Sequence, residues 1–79
     1  MILCRTFCNI VKIEDYNKND NIDKLKKQLS IKLKCRKKNL KLYIIKDNEN
    51  IILTDDIILK KILDKIIHVI IVPIKCENN

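Results

Sequence analysis

Residues 66–74 read Ile66-Ile67-His68-Val69-Ile70-Ile71-Val72-Pro73-Ile74, and the fold turns on how that run is interpreted. It is aliphatic and largely β-branched, broken only by His68 and Pro73. It is far shorter than the roughly 20 apolar residues a membrane-spanning helix needs. Residues of this kind favour a pleated, packed surface, so the run is expected to form a central strand. A strand apolar on both faces must be covered on one and at least partly covered on the other, so the rest of the chain has to supply neighbouring strands and a cover. Pro73 cannot donate to a sheet ladder, and the chain turns polar beyond it. The domain is therefore expected to span residues 1–74, with 75–79 a frayed polar tail.

Working back from that strand, Asp64-Lys65 is the corner that leads into it, and Ile57 to Leu63 is expected to be a short second helix, with Thr54, Asp55 and Asp56 as candidate caps. Ile51 to Leu53 reads as a brief strand, reached through the polar turn Lys46-Asp47-Asn48-Glu49-Asn50. Leu40 to Ile45 reads as a longer strand, with Leu40, Leu42 and Ile44 on one face and Lys41, Tyr43 and Ile45 on the other. Upstream lies a basic loop, Lys34 to Asn39, and before it a different periodicity. Ile22, Leu25, Leu29 and Leu33 fall at i, i+3, i+7 and i+11, an apolar stripe on a helix of about three turns. Asn21 or Asp20 is the candidate N-cap, and Asp23 stands where the helix dipole favours an acid. The chain opens with two expected strands, Ile2 to Cys8 and Ile10 to Tyr16, joined at Asn9, a residue that tolerates the positive φ of a tight turn. That hairpin places Cys4 and Cys8 on one strand face.

Composition sets bounds on function. With 79 residues the chain makes one domain, and such a domain buries only about 60–65% of the surface its unfolded form exposes. The net charge is +7, but Gly, Ala and Trp are absent and Lys far outnumbers Arg. This is the signature of AT-rich coding, which weakens the charge as an argument for a nucleic-acid partner. The four cysteines Cys4, Cys8, Cys35 and Cys76 form no CxxC pair and have one histidine between them, so neither a metal nor any other cofactor is expected. Nor is an enzyme: there is no HExxH, no phosphate-cradling Gly loop, no nucleophile elbow. Met1-Ile2-Leu3-Cys4-Arg5 has neither the basic leader nor the apolar core of a signal peptide, so the expected location is cytoplasmic or nuclear, with no membrane partner.

The order strand, strand, helix, strand, short strand, short helix, strand resembles ubiquitin and its β-grasp relatives. Asp20-Asn21-Ile22-Asp23-Lys24-Leu25-Lys26 is similar to the family's helix-opening Asp-Thr-Ile stretch, Leu40-Lys41-Leu42-Tyr43-Ile44 to its Gln-Arg-Leu-Ile-Phe strand, and Ile67-His68-Val69-Ile70-Ile71 to its Leu-His-Leu-Val-Leu strand, histidine included. The similarity covers residues 1 to about 74. It implies an α+β fold: a mixed sheet of four to five strands, first and last strands parallel and adjacent, one long helix packed across it, and a short second helix. Ile67, Val69 and Ile71 would then face the helix, and His68, Ile70 and Val72 the other side. The sequence ends Cys76-Glu77-Asn78-Asn79 and contains no Gly. Attachment to other proteins through a Gly-Gly end is therefore not expected. Leu25-Lys26-Lys27 through Leu33-Lys34 to Leu42-Tyr43, followed by an acidic turn, looks like the non-conjugated, elongin-B-like adaptors of the family. That likeness implies protein partners, in a ubiquitin-ligase or another multisubunit complex.

Two candidate surfaces follow. The resemblance implies that Tyr43, His68 and Ile70 form a partner-binding patch on the exposed face of adjacent strands, where ubiquitin carries its Ile-His-Val recognition patch. Large apolar groups on the solvated side of a sheet mark a contact site. Separately, Lys32, Lys34, Arg36, Lys37, Lys38 and Lys41 are candidate phosphate contacts, the basis of an alternative reading as a basic RNA-associated or ribosomal subunit. Against that alternative, Phe7, Tyr16 and Tyr43 are the only aromatics, too few for a base-stacking platform.

Overall fold

In a computed structural model describing residues 1–72, the chain forms one mixed sheet with a single α-helix across one face. The elements are β1 (Ile2–Arg5), β2 (Ile10–Ile13), α1 (Ile22–Leu33), β3 (Leu40–Lys46), β4 (Glu49–Ile52) and β5 (Ile67–Ile71). The five strands lie in the order β2-β1-β5-β3-β4, so the apolar run is indeed the central strand. β5 runs parallel to β1 and antiparallel to β3, which is the β-grasp arrangement. The expected end of the domain at residue 74 and the tail 75–79 lie outside the described residues.

The helix follows from its stripe. Ile22, Leu25 and Leu29 are buried, and Leu33 packs partly buried at the margin. Asn21 rather than Asp20 is the N-cap, its side-chain oxygen accepting from the Lys24 backbone N–H at 3.1 Å. Lys34 ends the helix in the left-handed region at φ 55°, with the N–H of Cys35 donating to the Ser30 carbonyl at 3.0 Å. This is the closing geometry usually given to Gly, and a chain without Gly must place a side-chain-bearing residue there.

The helix stripe meets the inward residues of every strand but β4. Ile2, Cys4, Ile13, Leu40, Leu42, Ile44, Ile67 and Val69 form one core with Ile22, Leu25 and Leu29. Leu53, Leu59 and Ile62 close its open side from the connection between β4 and β5. That connection is also tied to the helix start, because Ile22 N–H donates to the Ile57 carbonyl at 2.9 Å and Asp23 N–H to the Asp55 carbonyl at 3.2 Å. Two of the N–H groups that every helix start leaves unpaired are thereby satisfied.

Four expectations need correction. The second helix is a single 3-10 turn, Leu59–Lys61, with no side-chain cap. Its buried Leu59 and Ile62 anchor a loop, and Thr54 closes a turn there, its carbonyl accepting from Ile57 N–H at 3.2 Å. The first hairpin is shorter than expected, and Asn9 does not adopt a positive φ. Thr6 closes the four-residue loop instead: its N–H and hydroxyl both donate to the Asn9 carbonyl, at 2.8 and 3.0 Å, and Asn9 N–H donates back to the hydroxyl at 2.9 Å. Cys8 consequently leaves the strand and is exposed, whereas Cys4 is buried. Burial pushes the Cys4 thiol up to about 12. Finally, Ile71 is not covered by the helix; it is 44% exposed at the end of β5.

Candidate functional site

The second hairpin sets the register of the outer sheet face, the side away from α1. Asp47 and Asn48 both have positive φ, 52° and 65°, the two-residue turn whose twist matches antiparallel strands. Lys46 therefore opposes Glu49, Ile44 opposes Ile51, and Tyr43 opposes Ile52. Across the other edge of β3, Tyr43 opposes His68, and His68 in turn lies beside Arg5 of β1, which opposes Ile10 of β2. Ile10, Arg5, His68, Tyr43 and Ile52 thus form one transverse row across all five strands.

Tyr43 and His68 are the centre of that row. Their rings stack with centroids 4.9 Å apart and planes 16° from parallel, and both side chains are half-buried. Ile70 lies two residues on along β5, beside Lys41, and is 45% exposed. The alternation of β3 and β5 accounts for this facing: Leu42, Ile44, Ile67 and Val69 go into the core, so Tyr43, His68 and Ile70 go outward. The three residues expected to form a patch are therefore neighbours on one face.

Sequence reasoning missed three contributors. Ile52 is 57% exposed beside Tyr43. Its facing was hidden because Ile51, Ile52 and Leu53 are all apolar, but counting back from a two-residue Asp-Asn turn finds it. Arg5 brings a cation to the row, and no outward position on the five strands holds an acid. Phe7, expected within a strand, stands fully exposed in the loop between β1 and β2. That loop, Leu33 and the end of β5 bound an open groove of about 820 Å³, which also reaches Tyr43 and His68.

The members of the basic stretch differ in their surroundings. Lys37 forms an ion pair with Asp23 at the start of the helix, and its ammonium holds the Asp23 carboxyl below the usual carboxylate range, with Lys27 adding to the effect. Lys41 points to the outer face beside Ile70. Lys32, Lys34, Arg36 and Lys38 are exposed and make no ion pair with another described residue. Elsewhere, Lys26 is joined to Asp55 at 2.7 Å, tying the helix to the β4–β5 connection. Among the described residues no three His, Cys, Asp or Glu side chains come together as a metal site would require. No described helix is long and apolar enough to cross a membrane.

No family model matches the sequence, and no curated protein does. Among solved structures, the chain is similar to the solution structure of the N-terminal ubiquitin-like domain in the 4931431F19Rik protein. The TM-score is 0.74 at 23% identity, covering 99% of this chain and 79% of that one. At that identity the likeness establishes the fold: the chain has the ubiquitin-like β-grasp architecture.

Proposed function

We propose that this ubiquitin-like domain is a non-enzymatic interaction module, an adaptor subunit that binds protein partners through its outer sheet face. The observation that carries the reading is the stacked Tyr43–His68 pair with Ile70 and Ile52 exposed beside it, on the one sheet face that no described element covers. A solvated sheet face ordinarily alternates to polar residues; a contiguous aromatic and aliphatic row gains free energy only when a partner removes it from water. Arg5 and Lys41 at its margin add orientation and selectivity more than affinity. The 79 residues hold no Gly, so the unhindered Gly-Gly end that activation and conjugation require is not among them. A place in a ubiquitin-ligase or another multisubunit complex fits a small domain with one such face.

The test is affinity capture on the immobilised full chain at low and high salt, with wild type and Ile70→Ser compared. Partners held by the face remain at high salt and are lost with Ile70→Ser, because apolar contacts survive added salt. Partners that vanish with salt and ignore Ile70→Ser, RNA among them, would contradict the reading and favour Lys32, Lys34, Arg36 and Lys38 as the contact surface.

A further inference from the structure

We infer that β5 has a docking edge distinct from the outer face, and that it receives an extended, apolar segment of a partner protein, flanked by acids, as an added strand beside Val69–Ile71. The backbone register carries this. Val72 N–H donates to the Asn39 carbonyl at 2.7 Å, and the pairing of β5 with β3 continues through Lys41↔Ile70 and Tyr43↔His68. In an antiparallel ladder the bonding direction alternates, so His68, Ile70 and Val72 turn their N–H and C=O groups toward β3. Ile67, Val69 and Ile71 turn theirs toward β1. But β1 ends early: its pairing with β5 is Cys4↔Ile67 and Arg5↔His68 only, and the chain then departs into the loop closed by Thr6 and Asn9. The Val69 carbonyl and both backbone groups of Ile71 therefore meet no backbone partner among the described residues.

The surroundings of this open edge state what would fill it. It forms one side of the groove of about 820 Å³, whose other walls are Phe7 and Cys8 of the loop and Leu33 at the end of the helix. Phe7, fully exposed, and Ile71, 44% exposed, are large apolar side chains with nothing described packed over them. Unpaired N–H and C=O groups in a row call for an extended backbone, and apolar walls on both sides of the sheet plane call for apolar side chains at alternate positions. Among the described residues lining the groove, Arg5 is the only charged one, and it makes no ion pair with a described residue. An acid flanking the apolar core of the segment complements it. A guest strand here continues the line of β1 past Arg5, so the sheet itself needs no rearrangement.

The experiment is selection of random twelve-residue displayed peptides on the immobilised full chain, followed by synthesis of the enriched sequences and titration into the 15N-labelled protein. The expected peptides alternate apolar residues beside Asp or Glu. They shift and protect the Ile71 amide, and they lose about tenfold in affinity, the worth of one good backbone hydrogen bond, when N-methylated at alternate residues. Ile71→Pro, which removes an N–H that β3 does not use, should weaken them similarly while leaving the ladder to β3 intact. Arg5→Gln should lower the affinity and erase the preference for acids. Should Ile71→Pro disturb folding, the N-methylated peptides report on the same hydrogen bonds with the protein unaltered. If no peptide is enriched, strand addition at this edge is wrong. Peptides that bind without protecting Ile71, indifferent to N-methylation but lost with Tyr43→Ala, would overturn it too, while leaving the outer-face reading standing.

Discussion

Tyr43 of β3 and His68 of β5 lie directly opposite each other and stack, ring centroids 4.9 Å apart. The stack joins the central strand to its antiparallel neighbour on the face away from the helix, so it supports the sheet and the proposed partner surface together. Cross-strand pairs of this kind contribute roughly 0.2–1 kcal/mol. A double-mutant cycle with Tyr43→Ala and His68→Ala, read by denaturant unfolding, should return a coupling of about that size. A coupling indistinguishable from zero would mean that the rings merely coexist.

Leu29 is fully buried at the middle of the helix stripe. Leu29→Ala should cost about 2–5 kcal/mol, a large share of what so small a domain possesses. Urea unfolding checks this. A cost under about 0.5 kcal/mol, typical of surface positions, would show that the stripe is not what holds the helix to the sheet.

Lys34 holds a positive φ of 55° at the helix end. A left-handed conformation costs a residue with a Cβ roughly 1–2 kcal/mol, and Gly at the same place offsets part of that gain by its freedom in the unfolded chain. Lys34→Gly should therefore stabilise the domain by about 0.5–1 kcal/mol. Thermal and denaturant midpoints should both rise; a fall in both would show that the Lys34 side chain makes a stabilising contact that outweighs the strain.

The buried Cys4 thiol titrates at about 12, raised from 9.0 by burial. Unfolding exposes it and lets it ionise near its ordinary value, so between about 9 and 12 the unfolded state binds fewer protons than the folded one. Its contribution to stability is complete below pH 9.0 and is lost as the pH climbs toward about 12. Cys4→Val should make the alkaline limb of the stability profile shallower, with the wild-type slope as reference. Exposed Cys8 should alkylate in the native state and Cys4 only on unfolding.

Much of this was legible in the residues. The β-branched run at 66–74 required a central strand, the 3.6-residue stripe from Ile22 to Leu33 coincides with α1 at both ends, and the alternation around Tyr43 and His68 put both on one face. What was not legible depends on contacts distant in sequence or on backbone chemistry. Thr6, not Asn9, closes the first loop because its hydroxyl both donates and accepts, an option that an expectation based on positive φ overlooks. The stretch Ile57 to Leu63 has helical spacing, but Leu59 and Ile62 are drawn into the core from a loop that also satisfies the start of α1, and a full helix is not formed. Arg5 joins the candidate surface only through parallel pairing with β5, which no local pattern announces.

The central claim is that the outer face of β5 serves partners while its inner face holds the fold, and adjacent residues separate the two: Ile70 is 45% exposed, Val69 6%. The decisive measurement is captured-partner affinity alongside denaturant stability for Ile70→Ser and Val69→Ala. Ile70→Ser should weaken binding by about 1–3 kcal/mol and leave folding within about 0.5 kcal/mol of wild type. Val69→Ala should lower stability first, by on the order of 1–3 kcal/mol. If Ile70→Ser unfolds the domain while Val69→Ala is silent, or if Ile70→Ser folds normally and binds every partner as wild type does, the outer face is not the interaction surface.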